Sequence, residues 1–158
     1  MIQAIRETNF DAFIETKANR IGNQTGARTR HLVKFINDLD EAVFYAYPLL
    51  SVIYPRYTQM PFIYNSTPDM YEGQLNLIPA GYFKYEVYEV SWIGTPDLAA
   101  ATAPATETDV LPVENDNGVV EGLVAIGILY LGEKAGSEEV QYTEYEAPKT
   151  TNTIYYGQ

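Results

Sequence analysis

The sequence predicts an all-β protein, an antiparallel β-sandwich with extended N- and C-terminal arms, and three observations carry that reading. Pro79-Ala80-Gly81 is a turn signal that opens a run, Tyr82 to Trp92, rich in β-branched and aromatic residues. Within it Phe83, Tyr85 and Val87 alternate with Tyr82, Lys84, Glu86 and Tyr88, so one face is set for burial and the other for solvent or a neighbouring subunit. A second apolar run, residues 119–131, follows Asp116-Asn117-Gly118, and Asn-Gly is the strongest short hairpin signal. The other apolar segments are short and separated by Gly, Pro and Asn turns, about six to eight strands in all.

Along the chain, residues 8–18 place Phe10, Phe13, Ile14 and Ala18 at spacings compatible with a short amphipathic helix, and residues 20–30 read as a polar, extended connector. Residues 1–30 are thus expected to form an N-terminal arm carrying a short helix, ahead of a sandwich domain at 31–146. Residues 31–36 and 42–47 are apolar-rich, with the turn formers Asn37-Asp38-Leu39-Asp40-Glu41 between them, a hairpin. The rival there is a helix over 38–47, capped by Asp38 with Glu41 three residues on; the β reading is preferred. Pro61 makes the alternating segment 56–64 an edge strand or a bulge. Residues 73–78 lead through Pro79-Ala80-Gly81 into the long strand, a second expected hairpin. Residues 94–109 are a small-residue, low-complexity insertion, read as a surface loop or a disordered segment. Residues 110–113 and 119–131 form a third expected hairpin about Asn117-Gly118, whose second strand is central because it is apolar on both faces. Residues 139–145 alternate as a last core strand, and 147–158 form a C-terminal arm with Ile154, Tyr155 and Tyr156 near its tip.

Composition narrows the function. A chain of 158 residues supports one domain with tails, and the absence of cysteine removes disulfides, thiolate metal sites and cysteine nucleophiles. The longest apolar stretch, 122–132, is broken by glycines and falls short of the ~20 residues a membrane helix needs. No basic-then-apolar leader opens residues 1–6, which predicts a soluble protein made and used without export. The net charge of −11 is unevenly placed. Up to Lys34 six basic residues face three acids, net +3, while the remainder has four basic residues against eighteen acids, net −14. That polarity suits a basic segment docking onto an acidic body, of another copy or another protein, and it disfavours nucleic acid because the body would repel phosphate.

Chemistry is sparse. His31 stands alone, without a second histidine or a serine elbow, and reads as a partly exposed strand-end residue rather than a base or metal ligand. Glu86 and Glu89 fall on opposite faces of one strand and cannot share a substrate; Glu138 with Glu139 is the other carboxylate pair weighed. Glu114-Asn115-Asp116-Asn117-Gly118 clusters oxygen ligands as calcium would need, but lacks the full loop spacing and closing glutamate, and a plain turn explains it equally. Gly22-Asn23-Gln24-Thr25-Gly26 lacks the Gly-Lys-Ser/Thr of a phosphate loop. No enzyme, cofactor or metal is expected. The fourteen tyrosines suit strands and also interfaces or sugar-binding faces. Partner contacts are expected at Arg20, Arg28, Arg30, Ile154, Tyr155 and Tyr156.

The segments Arg56-Tyr57-Thr58, Gly73-Gln74-Leu75-Asn76-Leu77-Ile78-Pro79-Ala80-Gly81-Tyr82-Phe83-Lys84-Tyr85-Glu86-Val87-Tyr88-Glu89 and Val119-Val120-Glu121-Gly122-Leu123-Val124 resemble small virion proteins of tailed bacteriophages, in particular crAss-like and related phages of the Bacteroidota. The resemblance spans residues 31–145 and carries no catalytic motif. It implies an immunoglobulin-like β-sandwich, assembled in the host cytoplasm into a virion as a minor capsid, decoration or head-fibre attachment protein. Its partners would be major capsid or neck subunits and copies of itself, with no nucleic acid and no membrane. A ring component of the head-tail connector, and a carbohydrate- or receptor-recognition module, are the alternatives.

Overall fold

The computed structural model describes residues 1–112 and 116–136. In chain order its strands are β1 (Ile2–Ile5), β2 (Phe10–Ile14), β3 (Thr29–Asn37), β4 (Val43–Ala46), β5 (Val52–Ile53), β6 (Thr58–Tyr64), β7 (Gln74–Leu75), β8 (Gly81–Ser91) and β9 (Val119–Gly132). Only single 3-10 turns interrupt them among the described residues, and no helix there is long and apolar enough to cross a membrane. The protein is all-β, as the alternation of its strands predicts. The strand expected at 139–145 and the arm at 147–158 lie outside the described residues.

Two sheets share the work. The larger has the order β1-β9-β8-β3-β4, with β1 parallel to β9 and the other pairs antiparallel. The smaller has the order β2-β6-β5, with β7 also pairing with β6, in parallel. Val33, Phe35, Phe83 and Val87 of the larger sheet and Ala12, Ile14, Met60 and Phe62 of the smaller meet in one buried cluster. Phe62 lies edge-on to Phe35, ring centroids 5.6 Å apart, a geometry that aromatic quadrupoles favour. The alternation in β8 falls as its sequence predicts, and the β3–β4 hairpin closes across Ile36↔Val43.

Four expectations are corrected. Residues 10–14 are strand β2, not helix: Ala12 and Ile14 are buried while Phe13 faces out, and pairing from Phe10↔Phe62 to Ile14↔Thr58 supplies the backbone partners. With β1 paired to β9 as well, the first fourteen residues form edges of both sheets rather than a free arm. Residues 74–75 pair with β6, so the 73–92 hairpin does not form; Leu75 and Leu77 drop into the shared core and the chain crosses to the other sheet before β8 begins. No strand occupies residues 110–112 opposite β9. Gly118 serves close packing instead: a Cβ there would sit 2.6 Å from Trp92 Cζ2.

The insertion at 94–109 is a loop, as expected, but it is anchored. It lies over one half of the larger sheet's outer face, where Ala103 joins Leu32, Tyr47, Val90 and Trp92 in a second buried cluster. The Tyr47 hydroxyl donates to the Pro104 carbonyl at 2.6 Å, the Tyr45 hydroxyl donates to Glu107 at 2.5 Å, and Lys34 pairs with the same carboxylate.

Candidate functional site

Two of the titratable residues singled out in the sequence, His31 and Glu89, meet at one end of the larger sheet and face inward. Thr29, His31, Glu89 and Ser91 are buried in adjacent positions of β3 and β8, where Thr29 opposes Ser91 and His31 opposes Glu89. Residues 19–24 fold over them. The Gly22 amide donates to Glu89 Oε1 at 2.7 Å, and Arg20 Nε lies 3.6 Å from Glu89 Oε2, an ion pair rather than a hydrogen bond. Glycine permits that approach, since a Cβ at 22 would lie 2.7 Å from Glu89 Oε1. Arg20 also donates to Gln24 O and, at 3.3 Å, to Thr29 Oγ1, and Ser91 bonds Glu121 of β9. Asn19 donates to the carbonyl of Val124 at 3.1 Å, at the residue by which β9 bulges past β8.

This cluster holds structure together rather than exposing reactive groups. His31 is buried, not strand-end and half-open as its sequence context suggests; burial first, then the charges of Arg20 and Arg30, push its pKa down to about 4. A neutral imidazole in that place has no access to substrate. Glu86 stands on the opposite face from Glu89, as alternation predicts, paired with Lys84 at 2.9 Å and bonded by the Tyr88 hydroxyl at 2.7 Å. Burial raises the Glu107 carboxyl, but its bonds from Lys34 and Tyr45 outweigh that and hold it below its ordinary value. Burial, then the Glu107 bond, pushes the Tyr45 phenol up to about 12. An apolar hollow of about 470 Å³ between residues 107–111 and 118–120 is lined by two carboxylates, and both have structural partners: Glu107 as above, and Asp109, which accepts from the Ala105 amide at 3.0 Å.

Of the expected partner contacts, Arg20 is taken up inside the chain. Arg28 is exposed on the 3-10 turn Gly26–Arg28, and Arg30 is half-buried, donating to Thr29 O at 2.9 Å. Ile154, Tyr155 and Tyr156 lie outside the described residues, as do Glu114, Asn115, Glu138 and Glu139. Asn117 of the calcium candidate donates to the Pro112 carbonyl at 2.6 Å, and among the described residues no three His, Asp or Glu side chains gather as metal ligands.

The surface offers what the sequence reading missed. β9 is central, as expected, but among the described residues only its inner face is covered at its C-terminal half: Ile126 is 62% exposed and Ile128 51%, with Leu123 and Tyr130 also exposed. Tyr82 of β8 opposes Tyr130, rings 5.0 Å apart, and extends this apolar strip across two strands. A second exposed cluster sits on the smaller sheet, where the Phe13 ring meets Tyr57 edge-on at 5.5 Å and Tyr57 lies 4.9 Å from Tyr54. The signal for the second was present in the turn Tyr54-Pro55-Arg56-Tyr57, which puts an aromatic on each side of a hairpin tip. No family model, curated protein or solved structure matches this chain.

Proposed function

We propose that the chain is a non-enzymatic, multi-copy structural protein of a bacteriophage virion, attached to the capsid, with its two sheets forming an immunoglobulin-like sandwich. The strand order supports that architecture: β9-β8-β3-β4 facing β2-β6-β5 follows the G-F-C-C′ and B-E-D sets of a variable-type immunoglobulin fold, with β1 added beside β9. The observation that carries the assembly reading is the open strip Leu123, Ile126, Ile128, Tyr130 and Tyr82. Contiguous apolar surface of this kind on a well-packed sheet is characteristic of a face that another protein covers. The occupant is a neighbouring virion subunit. Ile154, Tyr155 and Tyr156 supply a second contact in the same assembly.

Mass spectrometry of purified particles from the source culture tests the reading. The chain should be present at a fixed stoichiometry to the major shell protein, and Ile126→Asp with Ile128→Asp should leave it folded and absent from particles. Its absence from particles, together with retention on polysaccharide that the double variant does not disturb, would replace this reading with a recognition module.

A further inference from the structure

The strand register places a cationic patch, on the smaller-sheet side, and an acidic turn at opposite ends of the molecule; Asp116 and Glu121 lie on the other side of the first end, beside Gln24. β3 runs from Thr29 at one end to Asn37 at the other, and at ~3.3 Å per residue these lie roughly 26 Å apart. At the Thr29 end are the 3-10 turns Lys17–Asn19 and Gly26–Arg28 and the β5–β6 turn, which closes with Tyr54 N donating to Tyr57 O at 2.8 Å. These pieces touch: a Cβ on Gly26 would lie 3.4 Å from Ile53 Cδ1, and Thr16 shares a 2.7 Å hydroxyl bond with Thr58. Lys17 and Arg28 on those turns and Arg56 between Tyr54 and Tyr57 are exposed in the same segments as the Phe13–Tyr57–Tyr54 cluster, and none has an acidic ion-pair partner among the described residues. Glu15 is the one acid in segments 13–30 and 52–58, and its Oε1 accepts the Ala18 amide at 3.2 Å.

The Asn37 end is the converse. The β3–β4 turn carries Asp38, Asp40 and Glu41 with no basic residue, and Leu39 between them is 81% exposed. It is a built turn: buried Asn37 accepts the Leu39 amide at 2.7 Å through Oδ1 and donates to the Pro79 carbonyl at 3.2 Å, while Asp40 accepts the Ala42 amide at 3.0 Å. The neighbouring cations are already engaged, Arg6 with Glu133 at 3.5 Å and Lys134 with Glu7 at 3.3 Å. An apolar knob is thus held rigidly within an acidic collar.

We propose that copies of this chain associate head to tail, the acidic Leu39 turn of one seating against the aromatic, cationic patch of Lys17, Arg28 and Arg56 on the next. Charge complementarity selects a second copy as the occupant. The contact is heterologous, so it repeats into a ring if the rotation closes and a file if it does not. This rests on the structural-subunit reading and gives its geometry.

Sedimentation velocity on the full chain at low and high salt tests it with two surface variants, Arg28→Glu/Arg56→Glu and Asp38→Lys/Glu41→Lys, which spare Asp40 and its turn bond. Wild type should self-associate as concentration rises, and about 0.5 M salt should weaken this at least ~10-fold, since the pairing charges are exposed. Each variant alone should be monomeric, and an equimolar mixture of the two should associate again, because the reversed ends complement each other. Wild type that stays monomeric to millimolar concentration, variants that associate like wild type, or a mixture that stays monomeric would each overturn the proposal. A monomer that is nevertheless found in particles ends this inference and leaves the virion reading standing; a chain that files head to tail but is absent from particles does the reverse.

Discussion

The outer face of the larger sheet is closed over one half and open over the other, although β8 runs through both. Near Tyr88, Val90 and Trp92 the 94–109 loop lies on the sheet, Ala103 and Trp92 are buried, and Lys34, Tyr45 and Glu107 bond at the margin. Toward Tyr82 the same face carries Ile126, Ile128 and Tyr130 of β9 with no loop of the described residues above them. On β8 the open half carries the Lys84–Glu86 pair, opposite Ile128 and Ile126, where the closed half carries Val90 and, just past the strand, Trp92, so the two halves differ in cover and in charge. The closed half stabilises the single chain; on the proposed reading, the open half gains its burial in an assembly, which would divide one sheet face between folding and association.

The closed half depends most on Trp92. Trp92→Ala empties the closed half and should cost about 3–5 kcal/mol in denaturant unfolding, with the loop released. Acid should come next, acting beneath the sheet at His31. Its folded pKa of about 4 lies below the ordinary value, so between pH 6.5 and 4 the unfolded chain binds the proton first and stability falls as pH falls. The loss should approach about 3 kcal/mol and be absent in His31→Gln, read as urea midpoints across that window. Glu107, held below its ordinary value, acts in the same direction: its contribution is present above the unfolded carboxyl pKa and disappears as pH drops through the folded one. Tyr47→Phe removes one buried bond to the loop and should cost about 1 kcal/mol, with faster amide exchange confined to residues 97–109. The smallest effect on folding belongs to the open half. Ile126→Ser with Ile128→Ser should shift unfolding by no more than about 0.5 kcal/mol per site while abolishing incorporation into particles.

How much of this the sequence disclosed depended on whether the partner of a segment was near in sequence. The β3–β4 hairpin was legible because its turn formers lie between its own two strands, and β8 because its alternation is strict. β2 was not: Phe10, Phe13 and Ile14 fit a helical stripe locally, and only distant β6 gives the strand its hydrogen bonds. The parallel pairing of β1 with β9 joins the two ends of the described chain and leaves no local mark. Asn117-Gly118 looked like a turn because close packing on an indole selects glycine as firmly as a turn does. At the charged end, Arg20 read as a free cation because nothing near it in sequence announces Glu89, buried nearly seventy residues on. The opposite-face placement of Glu86 and Glu89 was legible from the two-residue period alone. The open strip was half legible: apolar residues on both sides of β9 gave its central position, but whether a face is covered depends on where a loop with no periodicity comes to rest.

On the proposed reading the open half of the face is buried against a neighbouring subunit. The chain has no cysteine, so Ile128→Cys introduces a unique thiol at its centre, and Ser66→Cys one on an exposed turn away from it. Maleimide labelling of each variant, as free chain and within purified particles, measures the claim directly. Both thiols should react readily on the free chain, and in particles the one at 128 should be protected at least ~10-fold relative to the one at 66, as expected for burial in an interface core. Equal reactivity of the two in particles would contradict it.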